Sequence, residues 1–301
     1  MNLIFDTHAH YDDEAFDGDR EEILSGLREH GIGTVVNIGA SLSSCGTTLA
    51  LAQRYPFLYA AVGIHPNETG ELTEKDMDWL KQIAGEEKVV AIGEIGLDYH
   101  WDEPEREIQK KWFVRQLEIA GETGLPVVIH SREAAKDTLD IMKAEQSRIS
   151  GGVIHCFSYG VEMAREYLDM GYYLGIGGVL TFQNAKKLKE VAEYAPLSRL
   201  VLETDSPYLS PVPERGKRNS SLKLPYVVKA LAEIKDVSEE EVIRQTAENA
   251  VRLYRLEGKE SGWQNPGLPR ILPVGAGFEL CRKTGSREDY GEKTGKSKTD
   301  H

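Results

Sequence analysis

Eight short runs rich in β-branched and apolar residues, at 3–7, 33–38, 58–64, 88–94, 125–130, 152–156, 172–176 and 199–204, are separated by segments with helical spacing. Strand and helix alternating eight times within about 250 residues is the pattern of a closed (β/α)8 TIM-type barrel, with a doubly wound open sheet as the alternative. The intervening helices include 105–122, with Ile108, Trp112, Leu117 and Ile119, and 181–194, with Phe182, Leu188 and Val191. The last helix opens on a capping box, Ser238-Glu239-Glu240-Glu241, and continues through Val242, Ile243, Thr246, Ala250, Leu253 and Tyr254. The barrel is therefore expected to fill residues 1–256. The remainder, 257–301, holds eight glycines, three prolines and mixed charge without a sustained period, and reads as a disordered tail.

Composition narrows the chemistry. With 40% hydrophobic and 28% charged residues in 301, the chain has the makeup of a globular protein with a sizeable core. No apolar run approaches the roughly 20 residues that span a bilayer, and no basic leader precedes the first strand, so a cytoplasmic protein without membrane contact is expected. The cysteines Cys45, Cys156 and Cys281 are odd in number and far apart, which argues against disulfides and against a thiolate metal site. Any metal would be held by nitrogen and oxygen. A net charge of −13 disfavours nonspecific wrapping of a polyanion, but permits a local phosphate site such as the dense basic stretch Arg215-Gly216-Lys217-Arg218.

Polar residues gather where the strand-like runs end. His8 and His10 follow the first run and, one residue apart, point the same way because strand side chains alternate. Glu94 follows Val89-Val90-Ala91-Ile92-Gly93, His130 follows Val127-Val128-Ile129, His155 follows Val153-Ile154, and Asp205 follows the run through Val201-Leu202. In a barrel those ends share one mouth, where the active sites of this architecture lie. Six nitrogen and oxygen ligands exceed the needs of one tetrahedral ion and suit two ions about 3.5 to 4 Å apart with a bridging carboxylate. Glu94 is the candidate bridge, His8, His10 and Asp205 the ligands of one ion, and His130 and His155 those of the other. Such a pair makes hydroxide available as a nucleophile near pH 7, and Asp205 could pass its proton to the leaving group.

The stretches FDTHAH, GIHP (63–66), GEIGLDYHW (93–101), PVVIHSRE (126–133), IHCFS (154–158), GIGG (175–178), ETDSPYL (203–209) and RGKRN (215–219) closely resemble the TatD family of metal-dependent hydrolases, among the amidohydrolase-like barrels. The resemblance covers residues 1 to about 256, in order. It implies a TIM-type barrel with two divalent ions on His8, His10, Glu94, His130, His155 and Asp205, Mg²⁺ first and Mn²⁺ or Zn²⁺ as alternatives. It also implies a 3′ to 5′ exonuclease acting on the single-stranded 3′ end of DNA or RNA, or alternatively a deacylase of D-aminoacyl-tRNA. The sequence departs from the family pattern at Tyr159, at Glu214 and over 220–224, in strand-to-helix loops that bear on substrate choice rather than on the ligands.

Around the ligands, His65 ends the third run and is a candidate contact for a scissile phosphate. Arg132, two residues past His130, could hold a phosphate oxygen, and Arg215, Lys217 and Arg218 lie on the last strand-to-helix loop, where barrels frequently build phosphate sites. Tyr99 and Trp101 stand where a base could stack. His100 has no convergent partner in the sequence, and Cys156, by strand alternation, faces away from His155 and packs between barrel and helices. Two rivals remain: a PHP-type phosphoesterase, whose opening motif Asp6-Thr7-His8-Ala9-His10 also fits but which usually carries more histidines, and a non-enzymatic metal-binding protein, against which the complete ligand set argues.

Overall fold

The computed structural model describes residues 3–101 and 103–257. Eight strands, β1 (Ile4–Ala9), β2 (Ile32–Ile38), β3 (Leu58–Val62), β4 (Val89–Asp98), β5 (Val127–Arg132), β6 (Gly152–Ile154), β7 (Tyr173–Ile176) and β8 (Leu200–Leu202), lie side by side in chain order. All neighbouring pairs are parallel, and the Ala9–Ser206 bridge brings the two edge strands together. Sequential order excludes the reversal at the centre of a doubly wound sheet, and the nearly closed ring is a TIM-type barrel. Its helices are α1 (Arg20–Gly26), α2 (Leu42–Arg54), α3 (Glu74–Ile83), α4 (Arg106–Thr123), α5 (Ala135–Glu145), α6 (Val161–Asp169), α7 (Lys186–Tyr194), α8 (Leu224–Lys235) and α9 (Glu239–Leu253). None is long and apolar enough to cross a membrane.

Alternation along the strands builds two cores. Phe5, Val36, Tyr59, Val90, Val128, Val153, Tyr173 and Val201, one from each strand, pack together with Leu253, Tyr254 and Leu256 from the end of α9. Residues from eight strands can meet only inside the barrel, and most of these lie near strand starts, so the end of α9 closes that side. Tyr254 stacks on Phe5 with centroids 6.0 Å apart, and its hydroxyl donates to the Thr7 carbonyl at 2.9 Å. The neighbouring positions Val35, Val62, Ile92, Ile129, Leu174 and Leu200 face the helices and join Leu51, Leu80, Trp112, Leu117 and Leu231 in the outer core. Each such aliphatic side chain contributes about 1.5–3 kcal/mol on full burial, which is why the helical stripes hold the ring in place.

Four local expectations change. The fourth strand does not stop at Glu94 but runs to Asp98, with a register shift between Ile92 and Ile95. Glycines at 93 and 96 break the apolar pattern there because the next strand comes too close for a side chain: a Cβ on Gly96 would lie 1.9 Å from the His130 carbonyl oxygen. The sixth strand ends at Ile154, before His155, and the chain turns at Cys156 with φ +45°. The seventh helix begins only at Lys186, since Gly178–Thr181 form a 3-10 turn and Phe182 is extended. At α9 the Ser238 hydroxyl accepts from the Glu241 amide at 3.1 Å, while the Glu241 carboxylate turns to Arg244 at 2.6 Å, so half of the capping box forms. The expected tail lies outside the described residues apart from Glu257.

Candidate metal centre

The ends of β1, β5, β6 and β8 and the middle of β4 converge on one cluster. His8 and His10 bring their Nε2 atoms within 3.2 Å. At that distance two imidazole nitrogens share a proton or a cation; as bare lone pairs they would repel. Glu94 divides its oxygens between two histidine pairs. Its Oε2 lies 3.4 Å from His8 Nε2 and 3.9 Å from His10 Nε2, and its Oε1 lies 2.6 Å from His130 Nδ1 and 3.6 Å from His155 Nε2. Asp205 Oδ1 completes the ring at 3.7 Å from His8, 3.5 Å from His10 and 4.0 Å from His155. The His8 and His155 rings stack at 3.6 Å. The structure thus brings together all six residues singled out at the strand ends, although Glu94 reaches the mouth from inside a strand.

These donors suit divalent cations. Four ligands about 2.1 Å from a tetrahedral ion stand about 3.4 Å from one another, and most separations here fall near that value. Neutral imidazole and carboxylate together accept zinc, manganese or magnesium. The local field also favours a cation. Burial opposes ionisation of Glu94, but the His155 charge and hydrogen bonds from His130 and His8 hold its carboxyl well below the usual range. Asp205 is held down in the same way by His10 and His155. Burial works against the charged form of His10 and His155 too, yet the facing carboxylates push them up to about 9 and about 10. His8 moves the other way, lowered by burial and by the charge of His155.

A second layer sets the rings' orientation, and two of its members were not singled out in the sequence. His130 Nε2 meets Asp98 Oδ2 at 3.1 Å, and His155 Nδ1 stands 3.2 Å from Glu203 Oε1, which also accepts the Cys156 amide at 2.6 Å. His10 Nδ1 rests 3.0 Å from the Ile38 carbonyl; among the described residues the buried His8 Nδ1 has no partner, and His155 Nδ1 meets Glu203 as an ion pair without a hydrogen bond. The spacing of Glu94, Gly96 and Asp98 would have revealed Asp98, since residues two apart share a strand face, whereas Glu203 lies past the end of β8, where alternation gives no signal. Gly175 makes room for Glu203: a Cβ there would lie 2.2 Å from Oε2. Behind β1, Asp6 accepts from the Thr204 and Ser221 hydroxyls at 2.7 and 2.6 Å, and burial pushes its carboxyl up to about 7. This ties β1 to the chain after β8. Asp205 itself has φ +57°, a conformation costing about 1–3 kcal/mol in a residue with a side chain. Its amide is held by the His8 carbonyl at 2.9 Å.

The substrate-contact candidates divide. His65 is at the cluster, with Nε2 3.9 Å from Glu94 and its ring centroid 4.4 Å from that of His130. Its Nδ1 accepts the Asn67 amide at 3.2 Å, and burial with the neighbouring His130 pulls its pKa down to about 4, so the neutral ring presents an Nε2–H donor. Arg132 is exposed at the end of β5; its carbonyl accepts from the Tyr99 amide at 2.9 Å, while its guanidinium makes no hydrogen bond or ion pair among the described residues. The basic loop is largely engaged with the protein: Arg215 lies over the Phe182 ring at 4.3 Å, Lys217 pairs with Glu214 at 2.8 Å, and Arg218 meets the Asp19 carboxylate at 2.8 and 2.5 Å. Tyr99 is buried, with its hydroxyl on Asp137 at 2.8 Å, whereas Trp101 is exposed. His100 does have a partner, Glu133, at 2.8 Å. Cys156 does not pack between barrel and helices: strand alternation ends before it, and its thiol, pushed up by burial, faces the charges of Asp205, Glu203 and Glu94 at the mouth. Ligand atoms of His155, Cys156 and Glu203 lie within 4.8 Å of one another.

A family model described as TatD related DNase matches residues 5–255. An uncharacterized metal-dependent hydrolase of Bacillus subtilis, YabD, is 43% identical over 254 residues, covering 84% of this chain and 100% of the relative. The Escherichia coli metal-dependent hydrolase YcfH, also uncharacterized, is 34% identical over 258 residues, covering 85% and 97%. Among solved structures, the TatD homologue YjjV of Escherichia coli superposes with a TM-score of 0.79 at 32% identity, covering 84% of this chain and 98% of that one. An organophosphorus hydrolase of Deinococcus radiodurans superposes with a TM-score of 0.54 at 16% identity, a likeness of fold.

Proposed function

This chain belongs to the TatD related DNase family and is a metal-dependent hydrolase, and from that premise we propose that it is a 3′ to 5′ exonuclease of single-stranded DNA or RNA using two divalent ions, Mg²⁺ before Mn²⁺ or Zn²⁺. His8, His10 and Asp205 would hold one ion, His130 and His155 the other, and Glu94 both. The observation that carries the reading is the division of Glu94, which turns Oε2 to the first histidine pair and Oε1 to the second. Bound there, divalent ions would supply Lewis acidity toward a phosphoryl oxygen and lower the pKa of water.

The remaining steps fall to the chain. Asp205, kept ionised by the imidazoles around it, takes the proton of the attacking water at Oδ1 and returns it to the leaving 3′ oxygen. Attack on phosphorus breaks the bond to that oxygen and releases a nucleoside 5′-monophosphate. His65 donates Nε2–H to a non-bridging oxygen, with its tautomer fixed by the Asn67 amide. Arg132 offers the nearby guanidinium with no partner among the described residues, and Arg215, Lys217 and Arg218 line the adjoining loop. With 3′-labelled oligonucleotide, wild-type protein should release mononucleotides, and chelator or Asp205→Asn should abolish release while the folded state persists by circular dichroism. Deacylation of D-aminoacyl-tRNA with no oligonucleotide cleavage would sink the proposal in favour of an acyl-ester hydrolase.

A further inference from the structure

The loop after β8 carries an exposed apolar surface that the ligand cluster does not explain. Tyr208, Leu209 and Val212, exposed by 55%, 38% and 43%, fall within five residues of chain, three positions after Asp205. Elsewhere among the described residues, exposed large apolar side chains are scattered. The Tyr208 ring centroid lies 6.4 Å from that of His10 with the planes 63° apart. Its hydroxyl donates to Asp13 Oδ2 at 3.0 Å and its amide to the Asp205 carbonyl at 2.8 Å. The ring is therefore fixed at both ends to segments that build the site, its polar atom is satisfied, and its open face is purely aromatic. The following residue, Leu209, is held at φ +53°, and its carbonyl is crowded against Gly178, where a Cβ would approach to 2.1 Å. A branched aliphatic residue in that conformation carries strain of the kind found at ligand-contacting loops.

We infer that Tyr208 is the stacking platform for the nucleobase of the nucleotide whose phosphate lies at the His8, His10 and Asp205 side of the cluster, which rests on the nuclease reading above. A phosphate and the base of the same nucleotide are separated by one sugar, a gap comparable to that between His10 and the Tyr208 ring. Every base offers a π-face, so one pinned ring accepts all four without hydrogen-bond readout, as an exonuclease without sequence preference requires. Because the ring is already ordered, stacking needs little further loss of side-chain freedom.

The test is equilibrium binding, by calorimetry on protein supplied with Mg²⁺, of 2′-deoxyadenosine 5′-monophosphate against 2-deoxyribose 5-phosphate, which keeps the phosphate and sugar but has no base. Wild type should prefer the nucleotide by about tenfold. Tyr208→Phe, which keeps the ring and loses the Asp13 bond, should retain that preference, and Tyr208→Ala should bind both ligands as wild type binds the baseless one. A nucleotide preference that survives Tyr208→Ala, or its absence from wild type while both ligands bind, overturns the platform and leaves the phosphate reading standing. Failure of wild type to bind either ligand overturns both.

Discussion

The two histidine pairs that face Glu94 draw their negative charge from different places. His8 and His10 meet a carboxylate within the ligand ring itself, Asp205, at 3.7 and 3.5 Å, and among the described residues only the Ile38 carbonyl stands behind His10 and no partner behind His8 Nδ1. His130 and His155 also back onto buried carboxylates, Asp98 at 3.1 Å and Glu203 at 3.2 Å, with Asp205 farther from His155 at 4.0 Å. An anion behind an imidazole strengthens it as a ligand and fixes its tautomer, whereas an anion in the ring also faces whatever the ring binds. On the proposed mechanism, the difference assigns proton transfer to the β1–β8 side and the firmer orientation of metal-binding imidazoles to the β5–β6 side.

The largest effect should come from the residue that belongs to both sides. Glu94→Gln should lower kcat on the order of a thousandfold and reduce bound metal below two ions per chain, read by elemental analysis. Retention of both ions would mean that the two sides are independent and that Glu94 does not join them. The next effect is in pH. Without metal, His10 and His155 have their pKa values raised to about 9 and about 10, so both are protonated at pH 7 and must lose protons to bind a cation. Raised values mean that protons compete more strongly as pH falls, so affinity should drop by up to about tenfold per unit for each proton displaced, and binding at pH 7 should release protons. Calorimetry in buffers of different ionisation enthalpy counts them, and a count of zero at pH 7 would contradict the charged cluster.

The same contrast explains what the sequence made legible. Strand and helix alternation disclosed the barrel; His130 and His155 were readable because each directly follows an apolar run, Val127-Val128-Ile129 and Val153-Ile154, and His8 and His10 because their spacing puts them on one strand face. Asp98 was hidden because Gly93 and Gly96 interrupt the strand signal, although they are glycines only because β5 passes too close for a side chain. Glu203 was overshadowed by Asp205 two residues on, and Cys156 was misplaced because alternation was carried past the end of β6. Local periodicity reports which face a strand residue takes. It does not report where the strand stops, because hydrogen bonds to a neighbour distant in sequence decide that.

Separating the two sources of charge gives the third prediction. Asp98→Asn and Glu203→Gln should each weaken metal binding by about 10–100-fold while leaving kcat at saturating metal close to wild type. Asp205→Asn should do the reverse, losing kcat at every metal concentration. Titrating activity against Mn²⁺ concentration distinguishes the two patterns, and a kcat loss in Asp98→Asn that excess metal fails to restore would erase the proposed division of labour.

The smallest effect is expected at Arg218, the residue of the basic loop most firmly tied to the β1 side. Its guanidinium donates to both oxygens of Asp19 at 2.8 and 2.5 Å and to the Ala15 carbonyl at 2.6 Å, and lies over the Phe16 ring at 4.8 Å. Reaching a phosphate would require releasing those bonds, so its role is to clamp the segment after β1 to the loop after β8. Pairs this exposed contribute little net energy, and Arg218→Gln should change KM for an oligonucleotide by less than about threefold. Arg132→Gln removes a guanidinium with no such partner, and should raise KM further and flatten its dependence on salt. If instead Arg218→Gln raises KM the more of the two at unchanged Tm, the clamp opens during binding, and the β1–β8 side contributes to substrate capture as well as proton transfer.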